Sequence, residues 1–178
     1  MEIMKRILPV LGIILWFGAA RTWAQEETPA ETQYREDYER YQKIAAIKEP
    51  TKRADELLQF LKDRPDSKLN GTVQSGYLFI VQELANASKW DVVIAQSERF
   101  VRIRPKVGET YWFLGRAYSA QKKQDVAMIA LAKCSLLKCP VSAKARQYLE
   151  YLYKGQRGNL VGLDKIIQQA RGEIGGEH

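Results

Sequence analysis

The sequence predicts an all-α protein built as a stack of helical hairpins. A 34-residue echo runs three times through its second half: Tyr77, Tyr111 and Ala145 stand 34 apart, as do Ile80, Leu114 and Tyr148, then Leu84, Tyr118 and Leu152, and Val93, Ala127 and Val161. A period of that length marks helical hairpins that bury their apolar faces by stacking. Between the turn signals, apolar residues recur at spacings of three and four, the helical period. Prolines close the segments at Pro65, Pro105 and Pro140, the last two 35 apart, because the residue before a proline is pushed out of the helical region.

The first 24 residues are expected to be a secretory signal. Lys5 and Arg6 precede an apolar run of 14 residues, Ile7 to Ala20, and Thr22-Trp23-Ala24 offers small residues where a signal peptidase reads. The run is short for a span, which needs roughly 20 apolar residues, and it contains Pro9 and Gly12. Cleavage after Ala20 is the alternative, but Arg21 would then begin the mature chain. Cleavage after Ala24 removes Lys5, Arg6, Arg21 and Glu2, lowering 28 basic and 21 acidic residues to 25 and 20, a net charge of +5 over 154 residues. That length suits one domain with a real core, placed in the periplasm or secreted.

Segment 25–32, rich in Glu, Thr and Pro, reads as a disordered lead-in. The repeat domain is expected over 33–171. Its first helix begins at Gln33 with Tyr34, Tyr38, Tyr41, Ile44 and Ala45 as its apolar stripe, and a second helix carries Ala54, Leu57, Leu58, Phe60 and Leu61 up to Pro65. The connector 66–72 holds Asn70-Gly71, a turn signal. Three hairpins then follow: Val73–Ala87 with Trp90–Arg104, Glu109–Gln121 with Gln124–Lys138, and Ser142–Lys154 with Leu160–Arg171, the last an amphipathic cap for the end of the stack. The tail 172–178 is expected to fray.

Within Gly108 to Val141, the run Tyr111, Leu114-Gly115, Tyr118, Ala127, Leu131 and Pro140 resembles the tetratricopeptide repeat (TPR) pattern. The preceding repeat departs from it at Val81 and Ser97, and the following one has Leu149 at the glycine position and no closing proline. The resemblance covers about 100 residues. It implies an α-α superhelix of three to four hairpins whose inner helices line a binding face, with Gly115 and Ala127 small so that paired helices approach closely.

The inner-face positions that the resemblance implies are Leu78, Gln82, Trp112, Arg116, Arg146 and Glu150. The Lys and Asn set with which peptide-binding members clamp a terminal carboxylate is absent from them. Trp112 and Arg116 lie one turn apart, and Trp112 points about 100° away from Tyr111. Trp112 reads either as an interface anchor or as a packing residue plugging the stack.

Cys134 and Cys139 are the only cysteines, an even count that favours a disulfide in an oxidising compartment. In an unbroken helix their Cα atoms would be about 8.6 Å apart, too far for a bond, but Pro140 pushes Cys139 into extended geometry. The sole histidine is His178, which excludes internal imidazole chemistry and most zinc sites. The acids lie at helix-surface positions without a motif, and the basic residues form no stripe, so neither catalysis, a metal, a cofactor nor nucleic acid is expected. The sequence thus points to an exported adaptor that binds a protein or peptide on its concave face. The alternative is a structural subunit of an envelope complex, held through its convex side or terminal cap.

Overall fold

The computed structural model describes residues 28–176. The expected signal segment, residues 25–27 and the last two residues lie outside it. Among the described residues there are eight α-helices and no strand: α1 (Pro29–Ala45), α2 (Pro50–Asp63), α3 (Asn70–Asn86), α4 (Trp90–Val101), α5 (Gly108–Ala120), α6 (Gln124–Leu136), α7 (Ser142–Arg157) and α8 (Leu163–Gly175). The protein is all-α. None of these helices is long and apolar enough to cross a membrane.

Several boundaries correct the sequence reading, each for a local reason. Helix α1 starts inside the segment expected to be disordered, because Thr28 and Glu31 form a capping box and Pro29 occupies the first helical position. Asn70-Gly71 is the first turn of α3 and not a loop; the Asn70 side chain donates to the carbonyls of Arg64 and Pro65, tying the helix start to the preceding turn. Pro50 opens α2, with the Glu49 carboxylate accepting from the amides of Thr51 and Lys52. The tail expected to fray from Gly172 remains helical to Gly175.

The repeat is visible in the backbone. Ser88 and Lys122, 34 apart, are the two non-glycine residues with positive φ among the described residues, at 56° and 62°. Each follows a helix end at which an amide reaches back five residues, from Lys89 to Leu84 O and from Lys123 to Tyr118 O, the left-handed helix stop that satisfies otherwise orphaned carbonyls. In the third hairpin α7 runs on through Gly155, and the left-handed role passes to Gly158. A second echo ties hairpin to hairpin: Gln121 donates to Asp91, and Gln156 to Asp125.

Consecutive helices from α1 to α7 pack in series, and α3 also touches α5, as α5 touches α7. The last helix departs from the expected hairpin, since α8 packs mainly on α6 and not on α7. Its Leu163, Ile166, Ile167 and Ala170 join Met128, Leu131, Cys134 and Leu149 in one core. The link before it is held out by Gly162 at φ 91° and by the Tyr153 hydroxyl donating to Val161 O. Leu160 and Val161, at the start of the expected last helix, lie before α8 and are exposed there. Tyr34 and Tyr38 are likewise half-exposed and stack on each other instead of entering the core.

Two cores meet at α5. Phe113 and Ala117 join a cluster built from α1 to α4, whereas Tyr111 and Leu114 join the cluster of α6 to α8. Trp112 packs against the edges of both. This seam sets the position of the site.

Candidate functional site

Helix α5 presents its third direction, between the two cores, to solvent. Trp112 and Arg116 lie on it one turn apart, and Ser119 follows. Trp90, the first residue of α4, and Tyr148, from the middle of α7, close the sides of an open groove of about 510 Å3. The Arg116 guanidinium carbon lies 5.7 Å from the Trp90 ring centre and 5.8 Å from that of Trp112, a double cation–π contact. Trp112 meets Tyr148 edge to face at 6.1 Å, and Tyr148 stacks on Tyr151 at 6.2 Å. The Ser119 and Tyr148 hydroxyls are 2.7 Å apart.

The result is one aromatic strip running from Trp90 through Trp112 and Tyr148 to Tyr151. Its last member is 72% exposed. Tyr151 also lines an adjoining groove of about 600 Å3 with Gln124, Leu152 and Lys154.

Of the six inner-face residues, the structure brings two into this groove, Trp112 and Arg116. Leu78 is half-buried against the first core. Gln82 is exposed and donates to Asn86 on its own helix. Arg146 and Glu150 form an ion pair at 2.6 Å along α7, so the Arg146 charge is already matched. Trp90, Ser119, Tyr148 and Tyr151 complete the site and were not singled out from sequence. Tyr148 carried a signal, since it stands where the earlier repeats have Ile80 and Leu114. A hydroxyl at an otherwise aliphatic repeat position marks a place where the core opens to solvent.

Cys134 and Cys139 are brought together as thiols, with sulfurs 3.8 Å apart, so the expected disulfide is a contact and not a bond here. The Ser142 hydroxyl organises the Cys139 end, accepting from its amide and reaching its sulfur at 3.3 Å. Burial, reinforced by the neighbouring Cys139, pushes the Cys134 thiol well above its ordinary pKa. Gly108 lies against the pair; a β-carbon there would fall 2.7 Å from Cys139 Sγ.

No group of three or more His, Cys, Asp or Glu side chains able to hold a metal occurs among the described residues. No protein-family model, curated protein or solved structure matches the chain.

Proposed function

We propose that this chain is an exported, non-enzymatic scaffold whose helices form a TPR-like superhelix, and that it binds a protein or peptide along the face carried by α3, α5 and α7. The observation that carries the reading is the aromatic strip from Trp90 to Tyr151. A run of aromatics flanked by a cation is the composition of interaction hot spots; Trp90, Trp112 and Tyr148 pack one side on the cores while lining the open groove, and Tyr151 is left exposed at its end. The 34-residue recurrence of the helix stops, and the Gln-to-Asp links whose aspartates recur at 34 and glutamines at 35, support the repeat architecture. Export takes Cys134 and Cys139 to an oxidising compartment, where their contact is expected to close into a disulfide.

The test is crosslinked capture of partners from the native cell envelope followed by mass spectrometry, comparing the wild type with Tyr151→Ala combined with Arg116→Gln. Both residues have solvent access, so the melting curve should shift little, about 0.5 kcal/mol or less per surface substitution, while partner recovery is lost. Unchanged recovery would place the binding face elsewhere. A second reading, a subunit held in an envelope complex by its terminal cap, is favoured by Leu160 and Val161, which are exposed beside α8. Under that reading, Val161→Asp abolishes recovery and the groove variant does not.

A further inference from the structure

We infer that Arg116 is the receptor for a carboxylate side chain, so that the groove takes an extended acidic segment of a partner polypeptide with an aromatic residue beside the acid. The inference rests on the binding reading above and names its ligand chemistry.

Arg40, Arg53, Arg64, Arg99 and Arg146 each face an acid, at Asp63, Glu83, Asp37, Asp55 and Glu150 respectively; Arg102, Arg104, Arg116, Arg157 and Arg171 do not, and of these, among the described residues, Arg116 alone is held against aromatic rings. Arg116 has no carboxylate within 4.0 Å and donates no hydrogen bond among the described residues; its contacts are the two indoles. The acids of the flanking helices are taken: Asp91 accepts from Gln121, Glu98 from Tyr118 and Glu150 from Arg146. No acid of the groove's own walls neutralises it, since these are Trp90, Trp112, Arg116, Ser119, Ala120 and Tyr148.

A guanidinium has five N–H donors in its plane, and contact with an aromatic face uses none of them. Two indoles therefore hold the cation and displace its water while leaving its donors open, which strengthens its attraction for an anion. Ser119 and Tyr148 supply a further donor. One of their two O–H groups is spent on the other hydroxyl across 2.7 Å, leaving the second free. The groove thus offers a cation and a hydroxyl donor within aromatic walls, the complement of a carboxylate. Stacked on Tyr148 and 72% exposed, Tyr151 extends the surface for a neighbouring aromatic side chain.

The test uses the full chain and dye-labelled peptides of sequence Gly-Ser-Glu-Phe-Glu-Ser-Gly, acetylated and amidated so that side chains carry the only carboxylates, with a second peptide bearing Gln for each Glu. Fluorescence anisotropy should show the acidic peptide binding about tenfold more tightly than the amide peptide, with the advantage shrinking as salt rises. Arg116→Gln should erase that advantage and Arg116→Lys retain part of it, with circular dichroism confirming the fold of each variant. Equal binding of the two peptides, unaffected by Arg116→Gln, overturns the carboxylate assignment and leaves the aromatic groove standing. Failure of both peptides to bind overturns it as well, and the envelope capture experiment then judges the scaffold reading by itself.

Discussion

In the hairpin α5–α6 Gly115 faces Leu131, and a β-carbon at 115 would fall 2.6 Å from Leu131 Cγ and 2.7 Å from Cδ2. Thirty-four residues earlier, in α3–α4, the same two repeat positions hold Val81 and Ser97, both fully buried, with the sizes exchanged. A close-packed interior needs the summed volume at such a place and is indifferent to which helix supplies it. The two choices still differ in consequence. Glycine lets the backbone of α5 come down on Leu131, and α5 and α6 pack together more extensively than α3 and α4 do. The α3–α4 choice buries the Ser97 hydroxyl, which finds no hydrogen-bond partner.

The largest effects should come from the tight hairpin. Leu131→Ala removes a fully buried side chain over a glycine that cannot fill the space, and is expected to cost about 2–5 kcal/mol in urea unfolding. Gly115→Val forces Leu131 aside and should cost about 1–3 kcal/mol. Combining Gly115→Val with Leu131→Ser imports the α3–α4 arrangement. If volume exchange is the rule, that double variant is more stable than the sum of its single changes by roughly 1 kcal/mol or more, a coupling expected only of contacting residues. Simple additivity would mean that the two hairpins do not share one packing plan.

A smaller effect of opposite sign is expected on the looser side. Ser97→Ala deletes a buried hydroxyl that has no partner and replaces it with a better helix former. It should stabilise by about 1 kcal/mol, since the unmet desolvation penalty of such a group is typically 1–3 kcal/mol. A loss of stability would show that the hydroxyl is satisfied by water.

These two hairpins also show how far the residues could be read in advance. Helix number, order and most boundaries followed from apolar period and proline spacing, because those signals are local. The Thr28–Glu31 capping box was equally local, but a composition rich in Glu and Pro masked it. The packing of α8 on α6 was not legible, since it depends on the left-handed turn at Gly162 and on where α7 stops. The one-turn spacing of Trp112 and Arg116 pointed to the face of α5 that borders the groove. Trp90 and Tyr148 come from other helices, and only the meeting of two cores at α5 brings them beside Arg116. Arg146 and Glu150 illustrate the converse. Their positions suggested a binding role, yet a four-residue separation on one helix lets them pair with each other.

The same two hairpins should also differ in alkaline behaviour, an effect confined to high pH. Each anchors a tyrosine hydroxyl on α4, but the acceptors differ: Tyr77 donates to the carbonyl and side-chain oxygens of Gln96, and Tyr118 to the carboxylate of Glu98. Burial, aided by the Glu98 hydrogen bond and charge, pushes the Tyr118 pKa up from 10.0 to about 12. Burial raises Tyr77 further. The unfolded chain therefore releases these protons first, near pH 10, while the folded chain still holds them, so that stability falls as pH rises above 10. For Tyr118 the decline ends near pH 12, where the folded form also ionises; for Tyr77 it continues. Tyr118→Phe should flatten the unfolding free energy between pH 10 and 12 relative to wild type, and Tyr77→Phe should also flatten it and extend the change to higher pH. Identical alkaline profiles for wild type and Tyr118→Phe would mean that the Glu98 contact is open to water and that only the α3 tyrosine is truly enclosed.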